Sequence, residues 1–409
     1  MAEIALLRDP PFLLLLVGRF LAILASIAAP VALAFGVLAS PGGTATRLSI
    51  VMACESIPLL AFVLIGGVIA DRVQRSRVVV VGLALSALSF STIGAMLIDA
   101  SSPWWLLGVA AAVSGVGIAI MNPALAAIVP ELVAAEQLHA ANSLIGVVRN
   151  VARILGVVVA GFLVALFGGG WTLVLCGATF LVAAILFTLV RPRNVLPRSE
   201  NKTNFFADLR DGWSEFRAHE WVWVVVVQSS LHFACYTAAI GVIGPALATV
   251  ELGGAKAWSW LLACESAGTL LGAVLAMRWK PQHTILAGII AAAVTMPTPF
   301  ILLGLDAPIP VVMAAMLFTG IGMSLLAVLW SVTVQVKIPA RTLARVSSYD
   351  ALGSLLMSPL GLVLAGPAVA TLGPRPAMLT CGLLLVLITL SSLLSRDVRT
   401  LRLAPTTSP

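Results

Sequence analysis

The chain has 409 residues, of which 60% are hydrophobic and 10% are charged, and its mean hydropathy is +1.08. Ordinary soluble domains carry roughly 25% charged residues, so these values exclude a water-soluble fold and predict a polytopic membrane protein. The formal net charge of +7 arises mainly from Lys and Arg in short segments between apolar runs. This placement predicts anchoring at the cytoplasmic membrane face, and we expect no nucleic-acid partner.

Twelve apolar runs have about 20 residues or more, the length that crosses a bilayer as an α-helix. An apolar run of this length after Arg8 exceeds the roughly 7–15 residues of a signal-peptide core, so the first run is expected to be a membrane helix. The runs are called spans 1 to 12 and cover residues 11–38, 48–70, 78–98, 103–127, 140–167, 171–190, 221–248, 257–277, 284–305, 309–334, 346–371 and 376–395.

The distribution of Lys and Arg predicts the orientation. With a cytoplasmic N-terminus, 18 of the 24 basic residues fall on the cytoplasmic side, and three fall within spans. This bias predicts an inner (plasma) membrane protein with both termini in the cytoplasm. All ten tryptophans lie near span ends, as expected for an aromatic belt. The five cysteines lie inside apolar runs, so we expect neither a disulfide nor a metal site.

The sequence contains a weak internal repeat. At an offset of 210 residues, Ala53-Cys54-Glu55-Ser56 matches Ala263-Cys264-Glu265-Ser266, and at an offset of 205, Leu155-Gly156 matches Leu360-Gly361. Spans 2 and 8 therefore correspond, as do spans 5 and 11. Two parallel six-helix halves with a solute site near the midplane are the expected arrangement.

The repeat and the charge pattern also predict the domain boundaries. Residues 1–190 form an N-terminal six-helix bundle, and residues 221–395 form a C-terminal one. Residues 191–220 form a cytoplasmic linker, which carries apolar side chains on one helical face and charged ones on the other. This pattern predicts an amphipathic helix on the membrane surface, with a plain solvated linker as the alternative. Residues 396–409 are expected to be a cytoplasmic tail without regular structure.

The densest charge cluster of the first half lies between spans 2 and 3. Its pattern, Gly67-x-x-x-Asp71-Arg72-x-x-Arg75-x-Arg77, resembles the signature loop of major facilitator superfamily transporters. Residues 122–138, 149–156 and 350–367 are similar to the macrolide-efflux and enterobactin-exporter branch of that family. The resemblance implies an all-α integral membrane fold with twelve transmembrane helices in two pseudo-symmetric six-helix bundles. It also implies secondary active transport by alternating access.

The signature loop predicts a gating motif. Gly67 would let span 2 approach span 11 closely, and Asp71 would latch the halves by facing the positive N-terminal end of span 11. Arg72, Arg75 and Arg77 either join that latch or only hold the loop at the cytoplasmic face.

The chain departs from proton-coupled drug antiporters of the family at three places. Those antiporters often carry an arginine in span 4, where this chain has Ala111, and an acidic residue in span 1, where it has Ser26. Their span 5 motif has a proline that is absent from residues 156–161 here. The resemblance therefore does not carry over a full set of proton-handling residues.

Five ionisable residues inside spans are candidates for coupling or ion pairing, because a charge in hydrocarbon costs at least a few kcal/mol. We expect Glu265 on span 8 to pair with Arg149 or Arg153 on span 5. The span 11 counterparts of these arginines are serines, so Glu55 on span 2 lacks an equivalent partner. Glu55 is therefore the best candidate for proton coupling, with Arg19 on span 1 as a partner. The alternative is that both carboxylates are static struts.

His232 and Tyr236 lie one turn apart on span 7, a helix that lines the substrate cavity in the family. They are candidates for substrate contact or a proton relay, and helix–helix hydrogen bonding is the alternative for His232. Asp350, near the start of span 11, is expected to cap that helix or to join the Asp71 latch.

The predicted function is proton-coupled export of a small amphipathic compound, such as a drug or a siderophore-like molecule. An uptake permease and a lipid flippase on the same fold are the close alternatives, and a non-transporting membrane sensor is the alternative of another class. The sequence shows no catalytic cluster and no nucleotide-binding loop, so we expect neither an enzyme nor a cofactor. The expected partners are the small-molecule substrate, the lipid bilayer and protons, and the protein is expected to be monomeric.

Overall fold

The computed structural model describes residues 6–72, 74–99, 101–190, 216–279, 281–339 and 356–401, together with positions 342–343, 346–347, 349–350 and 353. Within these ranges the side chains of residues 63–72 are not described. Every regular element in the described ranges is a helix. The linker was predicted over residues 191–220, and its residues 191–215, with most of the amphipathic segment, lie outside the described residues. Phe216, which belongs to the predicted apolar face, is buried in an apolar cluster of the second unit.

The helices of the first half begin and end within a few residues of the predicted spans. Pro10 and Pro11 occupy the first turn of span 1, where the missing amide protons cost no helical hydrogen bond. A short helix, Val129–Leu132, and a 3₁₀ turn, Ala135–Gln137, connect spans 4 and 5. The long helices are Pro10–Ala39, Ala45–Arg72, Arg75–Asp99, Trp104–Ala127 and Leu138–Leu189.

Spans 5 and 6 are joined without a loop. The 52-residue element Leu138–Leu189 contains both, and its dihedral angles leave the helical region at Gly168, where φ is 80° and ψ is 167°. Only glycine adopts this backbone conformation without a steric penalty. The chain therefore reverses direction at one glycine. The next residue, Gly169, lies against the backbone of Gly36 on span 1, where a Cβ atom would not fit.

The second half contains more irregular helices. Span 7 is an α-helix over Glu220–Ala238 and continues through π-helical turns at Ala239–Ile243 and Ala248–Leu252. Span 9 is interrupted near Pro297, because proline cannot supply the amide hydrogen that a continuous helix needs. The helices after span 7 are Ala255–Arg278, Thr284–Thr295, Thr298–Gly304, Ile309–Lys337, Ser358–Leu372 and Pro374–Ser391.

The helix count agrees with the predicted twelve spans. In the described part of the chain, ten helical segments are long and apolar enough to cross a membrane. One of them contains spans 5 and 6, and the shorter apolar helix Ser358–Leu372 belongs to span 11. The architecture is that of an all-α integral membrane protein.

The chain divides into two compact units. The first contains spans 1 to 6 together with Ala248–Trp260, and the second contains the other parts of spans 7 and 8 and spans 9 to 12. In the first unit, span 1 packs against spans 5 and 6, and span 2 packs against span 4. Phe90 on span 3 stacks on Phe180 on span 6, with ring centroids 5.6 Å apart. In the second unit, span 7 packs against spans 11 and 12, and span 9 packs against spans 10 and 12.

The start of the C-terminal tail is ordered, which corrects the expectation of a tail without regular structure. Residues Arg396–Thr400 form a short helix, and the Ser395 side chain accepts a hydrogen bond from the Val398 amide at its N-terminus. Val398 is fully buried in an apolar cluster that includes Trp221 and Val222. Burial of this one valine, together with the serine cap, anchors the segment to the second unit.

Two tryptophans also depart from the predicted aromatic belt. Trp221 and Trp258 are 5% and 0% exposed, so they belong to the protein interior. Hydropathy cannot separate these cases, because a tryptophan near a span end faces either the lipid or a neighbouring helix. The tryptophans that do lie exposed near span ends are Trp104, Trp105, Trp171, Trp223, Trp260 and Trp279.

Candidate functional site

A cavity of about 220 Å³ lies inside the second unit. Spans 7, 9 and 10 and Asp350 contribute its walls. Most of the wall is apolar or aromatic, and its polar groups come mainly from one face of span 7. A largely apolar cavity with a few convergent polar groups is typical of small-molecule sites.

Span 7 presents Gln228, His232 and Tyr236 to this cavity at intervals of four residues. Residues four apart share one face of an α-helix, which explains why the three side chains line the same wall. Gln228 and His232 are 4% and 5% exposed. Three of their polar atoms have no hydrogen-bond partner within the described part of the chain: the Gln228 amide oxygen and both His232 ring nitrogens.

Tyr236 links the cavity to the buried carboxylate on span 8. Its hydroxyl donates a hydrogen bond to Oε1 of Glu265, and its ring packs edge-on against Phe300 with centroids 6.2 Å apart. Glu265 is 2% exposed. A hydrogen bond to a buried carboxylate offsets part of its desolvation cost, so Tyr236 helps to hold Glu265 in the interior.

Asp350 and Trp330 form a second polar pair at the cavity. The indole Nε1 of Trp330 donates to Oδ2 of Asp350 over 2.8 Å, and both side chains line the cavity. The expected roles were a helix cap or latch for Asp350 and a belt position for Trp330. The structure gives both a place in the cavity wall, and the cap or latch role of Asp350 stays a prediction.

Glu55 on span 2 has a different environment. Ser114 on span 4 donates its hydroxyl to Oε1 of Glu55 over 3.0 Å, and the carboxylate side chain is half-buried. The neighbouring Gly115 packs so tightly on the Glu55 backbone that a Cβ atom would overlap the Glu55 carbonyl oxygen. No ion pair to Glu55 is found among the described residues, and the suggested pair with Arg19 is not formed there.

Arg19 on span 1 makes a hydrogen bond of 3.1 Å from Nη1 to the carbonyl oxygen of Leu125. Arg149 on span 5 lies near enough to exert Coulombic repulsion on it. Arg149 is exposed and Arg153 is half-buried. The predicted pairing of Glu265 with Arg149 or Arg153 joins residues of different units and stays a prediction.

The described part of the signature loop is held by an ion pair. Nη1 of Arg75 lies 3.0 Å from Oε1 of Glu131 and 3.0 Å from the carbonyl oxygen of Ala127. The start of span 3 is thereby fastened to the end of span 4. Arg77 is exposed. The surroundings of Gly67 and the side chains of Asp71 and Arg72 lie outside what the structure describes.

The structure offers no obvious metal centre in the ranges that it describes. No group of three or more His, Cys, Asp or Glu side chains is placed to hold a metal ion there. All five cysteines are free thiols. The Cys381 thiol donates to the carbonyl oxygen of Cys235, which ties span 12 to span 7.

Four contributing residues were missed by sequence reasoning: Gln228, Ser114, Glu131 and Trp330. Gln228 carried a usable signal, because it lies one turn before His232 on the same span. Ser114 and Glu131 act through contacts with residues about 60 positions away, and no local pattern reveals such a contact.

Comparison with known proteins identifies the family. The sequence profile of the Major Facilitator Superfamily matches residues 15–362. The chain is 26% identical over 383 residues to the multidrug efflux pump Tap of Mycolicibacterium fortuitum, covering 88% of this chain and 90% of that protein. It is also 26% identical over 383 residues to the uncharacterized MFS-type transporter YfiS of Bacillus subtilis, covering 89% of this chain and 87% of that protein.

Solved structures support the same fold. A bacterial homologue of the human lysosomal transporter Spinster, in an inward-facing and unoccupied conformation, matches with a TM-score of 0.72 at 17% identity, covering 98% of this chain and all of that one. The nucleoside transporter NupG matches with a TM-score of 0.74 at 11% identity, covering 96% of this chain and all of that one. At identities this low, the structural similarity shows only that the folds are alike. The profile match, which spans most of the chain, shows that this membrane protein belongs to the Major Facilitator Superfamily of transporters.

Proposed function

We propose that this transporter exports small amphipathic compounds from the cell by alternating access. The observation that carries the proposal is the cavity of the second unit, whose mostly apolar wall is interrupted by Gln228, His232 and Asp350. An apolar wall favours compounds that partition out of water, and a few polar groups orient them. The similarity to Tap, a multidrug efflux pump, supports export of this kind of compound.

The cavity wall also favours a broad substrate range. Met296 and Met323 line it, and methionine side chains are flexible and polarisable enough to fit ligands of different shape. Surfaces rich in such side chains repack around several partners. We therefore expect recognition by size and amphipathic character.

We further propose that export is driven by protons and that Glu55 carries the coupling. Its half-buried carboxylate is held by the neutral hydroxyl of Ser114, so gain of a proton breaks no ion pair found in the described residues. Intramembrane carboxylates of this kind serve as proton sites in transporters. Glu265, with Arg149 or Arg153 as its proposed partner, acts in this scheme as a fixed strut.

The signature loop is proposed to gate the transport cycle. Asp71 forms the latch at the cytoplasmic end of span 2, and Arg75 supports it by keeping span 3 fastened to Glu131. The excess of basic residues on one side of the predicted spans supports the further proposal that the protein lies in the inner membrane with both termini in the cytoplasm.

Transport by everted membrane vesicles tests this proposal. Vesicles containing the protein are energised to form a proton gradient, and uptake of ethidium and of erythromycin is measured against vesicles that lack it. Export from the cell corresponds to accumulation inside everted vesicles, which should collapse when a protonophore dissipates the gradient. Accumulation only in right-side-out vesicles would indicate uptake and would contradict the proposal.

A further inference from the structure

Three buried polar atoms in the cavity of the second unit stand unsatisfied. The Gln228 amide oxygen and both ring nitrogens of His232 find no hydrogen-bond partner anywhere in the described structure, although the two side chains are 4% and 5% exposed. Buried polar groups in native proteins are nearly always paired, because an unpaired one retains its desolvation cost. A cluster of such atoms on one cavity wall indicates groups that are paired when something is bound.

We propose that Gln228 and His232 together recognise the substrate, which is an aromatic compound with amino or hydroxyl groups and with either no charge or one positive charge. This inference rests on the proposed function, since it names the class of compound that the exporter binds. Gln228 is a specificity-determining residue in this proposal, and His232 is its partner one turn further along span 7.

The hydrogen-bonding capacity of the pair defines what the ligand must offer. The amide oxygen of Gln228 requires a donor, and a neutral imidazole requires one donor and one acceptor. The two side chains originate about 5–6 Å apart, the spacing of residues i and i+4 on a helix. The three atoms together need two donor hydrogens and one acceptor lone pair, so a ligand with two amino or hydroxyl groups satisfies them, whereas a single hydroxyl does not.

The charge of the described cavity lining disfavours anions. Asp350 is acidic, and none of the described residues that line the cavity is Lys or Arg. An anionic ligand would lose its hydration and meet a carboxylate, whereas a single positive charge is attracted. An uncharged ligand loses only the hydration of its polar groups, and hydrogen bonds to Gln228 and His232 offset that loss.

The remaining wall favours an aromatic ring system. Phe233, Tyr236 and Trp330 line the cavity together with Met296 and Met323. Aromatic side chains gain energy from offset or edge contacts with a ligand ring, and methionine sulfur also contacts rings favourably. Such rings also attract a cation that lies over their faces.

Binding of ethidium to the purified full-length protein in detergent tests the proposal. Ethidium is an aromatic monocation with two aromatic amino groups, and its fluorescence anisotropy reports the bound fraction. Fluorescein, an aromatic anion at neutral pH, is the comparison probe. We expect Gln228→Leu and His232→Leu each to weaken ethidium binding roughly three- to ten-fold, the loss of about one hydrogen bond. His232→Gln retains hydrogen-bonding groups and should bind more tightly than His232→Leu.

Thermal unfolding of the ligand-free protein separates recognition from a structural role. Removing a buried group that has no partner should raise the midpoint of unfolding by roughly 2–4 °C in each leucine variant. A structural hydrogen-bonding residue would give a lower midpoint. Gln335→Leu is the matched control, because Gln335 is exposed and bonds to Ser331 outside the cavity. We expect this variant to bind ethidium as the wild type does.

The proposal is overturned if both leucine variants bind ethidium as tightly as the wild type, if both unfold at lower temperature, or if fluorescein binds as tightly as ethidium. Absence of ethidium binding to the wild type would also overturn the assigned substrate class. In that case the proposed function is judged separately, because export of erythromycin by everted vesicles would leave it standing.

Discussion

Glu55 and Glu265 occupy equivalent positions of the internal repeat. Their backbones are packed in the same way, but their carboxylates differ in burial and in hydrogen-bond partner. Gly115 on span 4 packs on the carbonyl of Glu55, and Gly320 on span 10 packs on the carbonyl of Glu265. The carboxylate of Glu55 is half-buried and accepts from a serine. That of Glu265 is 2% exposed and accepts from Tyr236.

The two halves therefore share the helix packing at these positions but differ in the polar partners of the carboxylates. The equivalent of Ser114 in the second half is Thr319, and its hydroxyl donates to the carbonyl oxygen of Thr295. Glu265 obtains its partner from span 7 instead, beside the cavity. This difference supports the proposal of proton coupling at the half-buried Glu55 and of a fixed position for the buried Glu265.

The largest expected effect tests the shared packing. Gly115→Ala and Gly320→Ala each place a methyl group on the backbone of the facing helix, so both should destabilise the protein by about 3 kcal/mol or reduce its yield. Gly146→Ala is the control, because a Cβ there meets nothing within 4 Å. The measurements are yield and thermal unfolding in detergent. Tolerance of alanine at only one of the two positions would break the equivalence.

A second prediction concerns the cytoplasmic ends of the two equivalent spans. Asp71 ends span 2, whereas the position 210 residues later is Pro281, so only the first half carries the proposed latch. Asp71→Asn should reduce ethidium transport about ten-fold or more, because the neutral side chain loses its attraction to a helix N-terminus. Anisotropy should show unchanged ethidium binding. Transport at the wild-type rate would remove Asp71 from the gate.

A smaller effect is expected for the two hydrogen bonds that Tyr236 and Ser114 donate to Glu265 and Glu55. Tyr236→Phe removes a hydrogen bond to a buried carboxylate and should cost about 1–3 kcal/mol of unfolding free energy. Ser114→Ala removes one from a half-buried carboxylate and should cost about 0.5–1.5 kcal/mol. Unfolding in denaturant measures both. Tyr236→Phe is combined with Glu265→Gln, and Ser114→Ala is combined with Glu55→Gln. Each double-mutant cycle then gives the coupling energy of one hydrogen-bonded pair. A larger coupling energy at Glu55 than at Glu265 would reverse the comparison.

The sequence predicted the helices well because hydropathy reports the average transfer of a segment into lipid. Span 4 was expected at 103–127 and is found at Trp104–Ala127. Hydropathy does not report what one face of a helix contacts, so the burial of Trp258 and the contact of Trp330 with Asp350 were not predicted. The π-helical turns of span 7 and the single-glycine reversal at Gly168 also escaped prediction, since both depend on packing between helices.

The candidate site was only partly accessible to sequence reasoning. His232 and Tyr236 were predicted because they lie one turn apart on span 7, which lines the cavity in the family that the sequence resembles, and the structure places both on a cavity wall. Gln228 has the same spacing and was not predicted, because an uncharged glutamine costs less to bury in a membrane span than an ionisable residue and is therefore a weaker signal of function. Ser114 required knowledge of which helices touch, and that knowledge comes from tertiary structure alone.

The most direct test compares the pH dependence of ethidium transport in Glu55→Gln and Glu265→Gln. Transport into everted vesicles is measured from pH 6 to pH 8, with ethidium binding as a check that each protein is intact. We expect the transport rates of the wild type and of Glu265→Gln to depend on pH, whereas Glu55→Gln should transport at a rate independent of pH. A wild-type pH response in Glu55→Gln, or a lost response in Glu265→Gln alone, would contradict the assignment of coupling to Glu55.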